Sequence, residues 1–215
     1  FEVVLCRKDG TQKVIYDETS PTYVERPALS TIRFVDGDRF IVQNETLTGW
    51  NHIYLHSVEK GLITPLTSGE WQVTSVVEAT KDRVYYMSTE TSPLRRNLYS
   101  VDYKGKKKQR LTEKDGTYSI SPSKGMKYYI SNYISATSAR EVELRDGKGK
   151  LIRTLVENPE MEERLKSLPK KEFFTFTTER GDALNAYIIK PLDFDPQKKS
   201  PVLLTQYSGP GSQQV

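Results

Sequence analysis

The sequence predicts a mainly β protein built from a repeated unit of short antiparallel strands. Two observations support this prediction: the composition is rich in residues typical of strands, and two separate landmarks recur about every 45 residues. The 215 residues include thirteen tyrosines and seven phenylalanines, and aromatic residues favour strands over helices. This length allows one large or two small domains.

The first landmark is a strand pair followed by a Leu-Thr dipeptide. Tyr54 and Leu66 are followed 45 residues later by Tyr99 and Leu111, and a third copy places Leu144 45 residues after Tyr99. We therefore expect three copies of one structural unit.

The second landmark is a strand that follows a polar turn. It recurs at Phe40, Tyr85 and Tyr128, with spacings of 45 and 43 residues. Four short strands per roughly 40–45 residues is typical of a β-propeller blade, which buries both faces by stacking on its neighbours. An all-β sandwich with fortuitous spacing is the alternative, and the Trp-Asp dipeptide of the commonest propeller repeats is absent.

We therefore predict a partial β-propeller of about three four-stranded blades over residues 1–156. Residues 1–20 would form the tail of an earlier blade. Turn signals support the strands: Val35-Asp-Gly37-Asp, Lys114-Asp-Gly116 and Arg145-Asp-Gly147.

The composition changes after Val156, and residues 157–170 predict a linker helix. Asn158 is a candidate N-cap and Pro159 suits the first turn. An apolar stripe follows, and Pro169 ends it. The stripe consists of Met161, Leu165 and Leu168.

Strand patterning resumes in residues 171–215. Apolar residues alternate on both sides of the turn at Glu179-Arg-Gly181-Asp, which predicts an antiparallel hairpin with one buried face. These residues are Phe174, Phe176, Leu184, Ala186 and Ile188. Further on, Val202-Leu-Leu204 predicts a short buried strand that opens into Tyr207-Ser-Gly-Pro-Gly211. Such a strand needs a sheet beside it, so we expect the chain to be a piece of a longer protein.

Residues 198–213 resemble the third hydrolase strand and following loop of the prolyl oligopeptidase family. The Gly209-Pro-x-Ser-Gln213 ending is most similar to the dipeptidyl peptidase IV branch, and residues 181–194 resemble the family's first hydrolase hairpin. The resemblance implies that residues 171–215 are the first strands of an α/β-hydrolase peptidase domain. It also implies a serine exopeptidase that releases N-terminal Xaa-Pro or Xaa-Ala dipeptides through an acyl-enzyme.

Two site residues follow from this resemblance. Tyr207 matches a tyrosine whose hydroxyl contributes to the oxyanion hole, where a pre-aimed donor stabilises the developing negative charge. Arg26, in Tyr23-Val-Glu-Arg-Pro27, matches a substrate-binding arginine of a propeller loop. The alternatives are an ordinary aromatic residue at a strand end and an ordinary ion-paired loop arginine.

Other catalytic or metal chemistry is not indicated. No Gly-x-Ser-x-Gly nucleophile motif occurs, so we expect the triad to follow Val215 and the chain alone to be inactive. His52 and His56 are four residues apart in a strand, about 13 Å, too far to share a metal ion. We predict no metal site and no cofactor.

The charge pattern does not favour a nucleic-acid partner. The formal net charge is only +4, with acidic and basic residues interleaved, and Lys104–Arg110 is typical of a solvated hairpin tip. Cys6 is the single cysteine, which excludes an intrachain disulfide bond. The resemblance implies peptide substrates, a homodimeric parent and a periplasmic, cell-surface or secreted location.

Two other functions remain open. One is a non-catalytic β-propeller that serves as a binding scaffold. The other is a relative of acylaminoacyl peptidases or oligopeptidases with a different specificity. In either case unpaired propeller edges would favour self-association.

Overall fold

A computed structural model describes residues 1–24, 32–207 and 209. A hairpin of β1 (Glu2–Cys6) and β2 (Gln12–Asp17) comes first. Three four-stranded antiparallel sheets follow, each with its strands in chain order.

The two central strands of each sheet have similar lengths of six or seven residues, whereas the outer strands differ. The first contains β3 (Arg33–Phe34), β4 (Arg39–Asn44), β5 (His52–Ser57) and β6 (Gly61–Pro65). The second contains β7 (Val73–Ala79), β8 (Arg83–Ser88), β9 (Asn97–Asp102) and β10 (Gln109–Arg110). The third contains β11 (Thr117–Pro122), β12 (Tyr128–Ile134), β13 (Glu141–Asp146) and β14 (Leu151–Val156), with a 3-10 turn at Lys124–Met126. Helix α1 (Pro159–Lys166) and a hairpin of β15 (Lys171–Thr177) and β16 (Ala183–Ile189) complete the described elements.

Three hydrophobic cores lie between successive layers. Phe40 and Val42 of β4 pack against Tyr16 of the first hairpin, whereas Ile41, between them, packs against the second sheet. In β8, Tyr86 faces the first sheet and Tyr85 faces the third. Because the first and second sheets are each covered on both faces, the layers form consecutive blades. This stacking confirms the partial β-propeller and excludes a two-layer sandwich.

The predicted Leu-Thr signature has a defined structural role. Leu66 donates its backbone N–H to Ile53, and Leu111 donates to Leu98, both at 2.8 Å. The following threonine hydroxyl accepts the backbone N–H at the start of the third strand, from Ile53 in the first sheet and Leu98 in the second. The threonines are Thr67 and Thr112. The 45-residue repeat therefore reflects the same hydrogen-bond arrangement in the first and second sheets.

The predicted register of the other copies is wrong by one residue. Glu143, not Leu144, matches Tyr99, because Glu143 pairs with Ser131 as Tyr99 pairs with Tyr86. In the other landmark, the strands begin at Arg39, Arg83 and Tyr128, so the true offsets are 44 and 45. The connections between the second and third strands of the sheets differ in length, so the repeat does not have one constant spacing.

One predicted hairpin turn, Lys114-Asp-Gly116, instead lies in the connection between the second and third sheets.

The register places an ion pair where the second sheet has apolar contacts. Arg145 Nε lies 2.7 Å from Glu143 Oε2, and their side chains are 12% and 9% exposed. Burial, the largest single effect, raises the pKa of the Glu143 carboxyl, but the hydrogen bonds from Arg145 and Glu141 and the charges of Arg145 and Lys114 together lower it. The matching residues of the second sheet are Tyr99 and Val101, both buried in its core.

The helix and the last hairpin form as predicted, but their apolar residues are not buried. Asn158 occupies the N-cap position at φ 57° without a side-chain capping bond, and its amide instead donates to the Arg140 carbonyl. Met161 and Leu168 are 45% and 42% exposed. In β15–β16, Phe174 pairs with Ala186, yet no residue of either strand is buried. The predicted buried faces are wrong for the described residues, since no further layer covers them.

Candidate functional site

Tyr207 lies in an irregular segment after β16, and its side chain is 70% exposed. Its ring rests against Gly209. A Cβ atom there would come within 2.7 Å of Tyr207 Cε1 and 2.9 Å of the hydroxyl oxygen. A larger residue at position 209 would therefore displace the exposed Tyr207 ring from this position.

The strand predicted before Tyr207 does not form. Val202, Leu203 and Leu204 are in no strand and are 81%, 90% and 83% exposed. A strand needs hydrogen-bonding partners on at least one edge, and the described residues supply none here. The prediction of a buried strand is therefore wrong for this chain.

Three contacts attach the segment that leads to Tyr207 to the third and second sheets. Glu162 Oε1 of α1 accepts the backbone N–H of Ala139 at 2.6 Å, beside the Asn158 bond to Arg140. The Arg95 guanidinium lies 5.9 Å from the centroid of the Phe173 ring. All three contacts involve the loops that join β8 to β9 and β12 to β13.

Arg26, the predicted substrate-binding arginine, lies outside the described residues. Arg33, the first residue of β3, bridges two blades. Its guanidinium donates to the carbonyls of Val76 and Val77 at 3.0 and 3.1 Å. The two terminal guanidinium nitrogens thereby link β7 of the second sheet to β3 of the first.

A cavity of 380 Å³ lies between β7 of the second sheet and β11 of the third. Its polar lining comes from Thr74, Ser75, Ser119 and the half-buried Arg96. Burial lowers the pKa of Arg96, whose guanidinium donates to the carbonyls of Pro93 and Arg95. Sequence reasoning missed this cavity, because its residues come from two blades and no motif marks them.

Neither histidine forms a metal site. His52 binds Thr67 through Nδ1 and the Gly69 carbonyl through Nε2, so Nε2 carries the proton. His56 stacks on Phe40 with ring centroids 5.4 Å apart and meets Tyr16 edge-on at 5.2 Å. Burial lowers the pKa of both imidazoles. Across the described ranges, no three His, Cys, Asp or Glu side chains form a potential metal cluster.

Among the described residues, none forms a hydrogen bond or an ion pair with the Tyr207 side chain. The tyrosine hydroxyl can donate a hydrogen bond, but acyl transfer also needs a nucleophile and a base. The arrangement can therefore contribute one donor to a site that other residues complete.

Among the described helices, none is both long and apolar enough to span a bilayer.

Comparison with known proteins identifies the family. Residues 1–140 match the family model described as the dipeptidyl peptidase IV (DPP IV) N-terminal region. This chain belongs to the dipeptidyl peptidase IV family. The match covers the residues that form the first hairpin and most of the three sheets.

Individual relatives extend the similarity to the whole chain. Probable dipeptidyl peptidase 4 of Emericella nidulans is 35% identical over 217 residues, which is 97% of this chain and 27% of that protein. Dipeptidyl peptidase 4 of Arthroderma otae is 35% identical over 219 residues, 99% of this chain and 27% of that protein. The chain thus spans about a quarter of the length of these curated relatives.

A solved structure is similar throughout. The crystal structure of Porphyromonas gingivalis dipeptidyl peptidase 4 superposes with a TM-score of 0.91 at 37% sequence identity. The superposition covers 99% of this chain and 31% of that chain. The β-propeller architecture of the dipeptidyl peptidase IV family is therefore the architecture of this chain.

Proposed function

We propose that the chain is part of a serine exopeptidase that releases Xaa-Pro and Xaa-Ala dipeptides from peptide N-termini through an acyl-enzyme. The main support is its membership of the dipeptidyl peptidase IV family, with relatives named dipeptidyl peptidase 4 over nearly its whole length. Peptide substrates follow from that membership. Homodimerisation and a periplasmic, cell-surface or secreted location belong to the same proposal.

Tyr207 is the residue of this chain that we assign to the chemistry. Its hydroxyl would donate to the oxyanion of the tetrahedral intermediate, while a serine, an aspartate and a histidine outside the chain would carry out acyl transfer. The exposure of Tyr207 and its close packing on Gly209 support a donor that is presented rather than buried. The chain alone would be inactive, because it contains no Gly-x-Ser-x-Gly motif and both of its histidines are buried.

A chimera tests this proposal. Residues 1–215 would replace the matching segment of Porphyromonas gingivalis dipeptidyl peptidase 4, to which they superpose over 99% of their length. Hydrolysis of Gly-Pro-p-nitroanilide would then be measured for the chimera and for the isolated chain. We expect activity only in the chimera. Hydrolysis of the substrate by the isolated chain would contradict the proposal that this chain is inactive alone.

The role of Tyr207 is tested in the same chimera. Tyr207→Phe should lower kcat about 10²–10³-fold, the usual loss for one oxyanion-hole donor. Tyr187→Phe is the matched control, since Tyr187 is also an exposed tyrosine, in β16. Equal kcat values for the two variants would contradict the assignment of Tyr207 to the oxyanion hole.

A further inference from the structure

The second and third sheets have two chemically different ends. Because the strands are antiparallel and in chain order, the β7–β8, β9–β10, β11–β12 and β13–β14 turns all lie at one end, here called the turn end. The remaining connections lie at the other end, the loop end. Helix α1 and the β15–β16 hairpin contact the loop end through Ala139 and Arg95, so the turn end faces away from them.

The turn end is strongly basic. Its four turns contain nine lysines and one carboxylate, Asp82, and every one of the lysines is exposed. The lysines are Lys81, Lys104, Lys106, Lys107, Lys108, Lys124, Lys127, Lys148 and Lys150. We call this set, without Lys108, the basic strip. By contrast, the three connections at the loop end contain four basic and three acidic residues.

Few of these charges are neutralised within the molecule. The Lys108 ammonium reaches away from the turn end: it pairs with Glu90 of the loop end and lies 5.7 Å from the centroid of the Trp71 ring. Within the described ranges, the other eight lysines have no carboxylate within 4 Å. The two aspartates nearest the tips, Asp102 and Asp146, instead accept backbone N–H groups. Asp102 binds Lys104 and Lys106, and Asp146 binds Lys148 and Lys150, at 2.8–3.0 Å. These bonds hold the tips in shape while the ammonium groups point to solvent.

The strip continues from one sheet to the next. Met126, in the 3-10 turn, is buried in the core between the second and third sheets with Tyr85. A groove of 710 Å³ joins the turns there, lined by Lys127, Lys148 and Lys150. Tyr128, which is 51% exposed, lies in the groove beside Leu151 and Ile152. The groove thus presents three lysines beside two aromatic residues, Tyr85 and Tyr128, with Asp146 as the one carboxylate in its lining.

We propose that the basic strip binds a linear anionic polysaccharide, a sugar chain that carries sulfate, phosphate or carboxylate groups. Clustered lysines act as point charges that attract such polyanions. A flat anionic membrane fits less well, because the same end of the first sheet has no cluster of lysines: its two turns contain Lys60 against Asp36, Asp38 and Glu59, with Glu59 paired to Lys13 and Asp36 to Arg39.

Other macromolecules also match the strip less well. Single-stranded nucleic acid is bound through successive aromatic side chains and arginines, whereas the four turns contain no arginine. Protein interfaces are depleted of lysine at their centres. A sugar chain needs only charge and an occasional apolar contact, which Tyr128 supplies.

The test is binding of the 215-residue chain to heparin oligosaccharides, a sulfated probe, by isothermal titration calorimetry at low and high salt. One variant removes three charges from the second sheet: Lys81→Gln, Lys104→Gln and Lys106→Gln. A second removes three from the third sheet: Lys124→Gln, Lys127→Gln and Lys150→Gln. The control, Lys170→Gln, Lys198→Gln and Lys199→Gln, removes the same charge from exposed sites outside the strip.

We expect heparin binding that weakens with salt and a dissociation constant that rises about tenfold in each strip variant, as three exposed ion pairs predict. The control should change it less than about twofold. Equal losses in all three variants would show that only net charge matters and would overturn the strip. Tighter binding to duplex DNA or to phosphatidylglycerol vesicles than to heparin would overturn the polysaccharide, as would no binding to any of them.

Discussion

The two interfaces between the three sheets share a backbone but differ in chemistry. Between the first and second sheets, Tyr99 stacks on Tyr86 with ring centroids 5.8 Å apart, and Val101 is buried beside them. Between the second and third sheets, the same two positions hold Glu143 and Arg145 as a largely buried ion pair. The backbone pairing of a blade therefore does not dictate what fills the space between blades. An apolar pair and a charged pair can occupy the same place if every charge is matched.

The largest expected effect comes from breaking the charged interface. Glu143→Gln leaves the Arg145 guanidinium largely buried without a counter-charge, and should lower the free energy of unfolding by about 3 kcal/mol. Urea denaturation followed by circular dichroism measures it. Glu141→Gln is the control, because Glu141 pairs with Lys114 in a more exposed setting and should cost about 1 kcal/mol or less.

Converting the third sheet to the chemistry of the second sharpens this test. The double variant Glu143→Tyr, Arg145→Val removes both charges and installs the residues found at Tyr99 and Val101. Replacing a buried ion pair by apolar residues is often neutral or stabilising, so the double variant should be more stable than Glu143→Gln alone. A double variant that is less stable than the single one would mean that the third sheet requires the ion pair.

A smaller loss should be equal in both sheets. Thr67 and Thr112 each accept the backbone N–H of the second residue of a third strand, at 3.0 and 3.1 Å. Each hydroxyl also bonds the side chain of the first residue of that strand, His52 or Asn97. Valine at either position keeps the shape but removes both bonds, at a cost of about 1–2 kcal/mol. Urea denaturation of Thr67→Val and Thr112→Val measures both. If the two losses of unfolding free energy differ by more than about 1 kcal/mol, the Leu-Thr signature does not stabilise the first and second sheets equally.

The buried histidines should make the first sheet sensitive to acid. Burial lowers the pKa of His52 and His56 below the ordinary value of 6.5, so protons bind the unfolded state first as the pH falls. Stability is then full above pH 6.5 and declines below it, by at most about 1.4 kcal/mol per pH unit for each histidine. Thermal melts between pH 7.5 and 5 measure the slope. His56→Leu should reduce this slope, and a slope that stays the same would exclude His56 as a contributor.

The sequence predicted the blades better than it predicted the surroundings of Tyr207, and the reason is physical. A blade is determined by local pattern, and Leu66-Thr67 and Leu111-Thr112 mark the same hydrogen bonds wherever they occur. The ion pair of Glu143 escaped prediction because a one-residue change in turn length shifted the repeat. The sequence predicted a buried strand at Val202–Leu204 because these residues are apolar. Apolar composition indicates that a segment favours burial, but it does not identify the layer that would cover the segment. The basic strip required the antiparallel topology that brings four separate turns to one end.

The smallest expected effect compares two tyrosine hydroxyls across the two interfaces. Tyr86 is fully buried in the first interface, and its hydroxyl has no hydrogen-bond partner among the described residues. Tyr133, in the second, donates to the Asp115 carbonyl at 2.9 Å. Removing an unpaired buried hydroxyl relieves its desolvation cost, whereas removing a paired one loses a bond. Tyr86→Phe should therefore leave the free energy of unfolding unchanged or raise it by about 0.5 kcal/mol, while Tyr133→Phe should lower it by about 1 kcal/mol. Urea titrations of the two variants decide the matter, and a loss for Tyr86→Phe as large as that for Tyr133→Phe would mean that the Tyr86 hydroxyl is bonded after all.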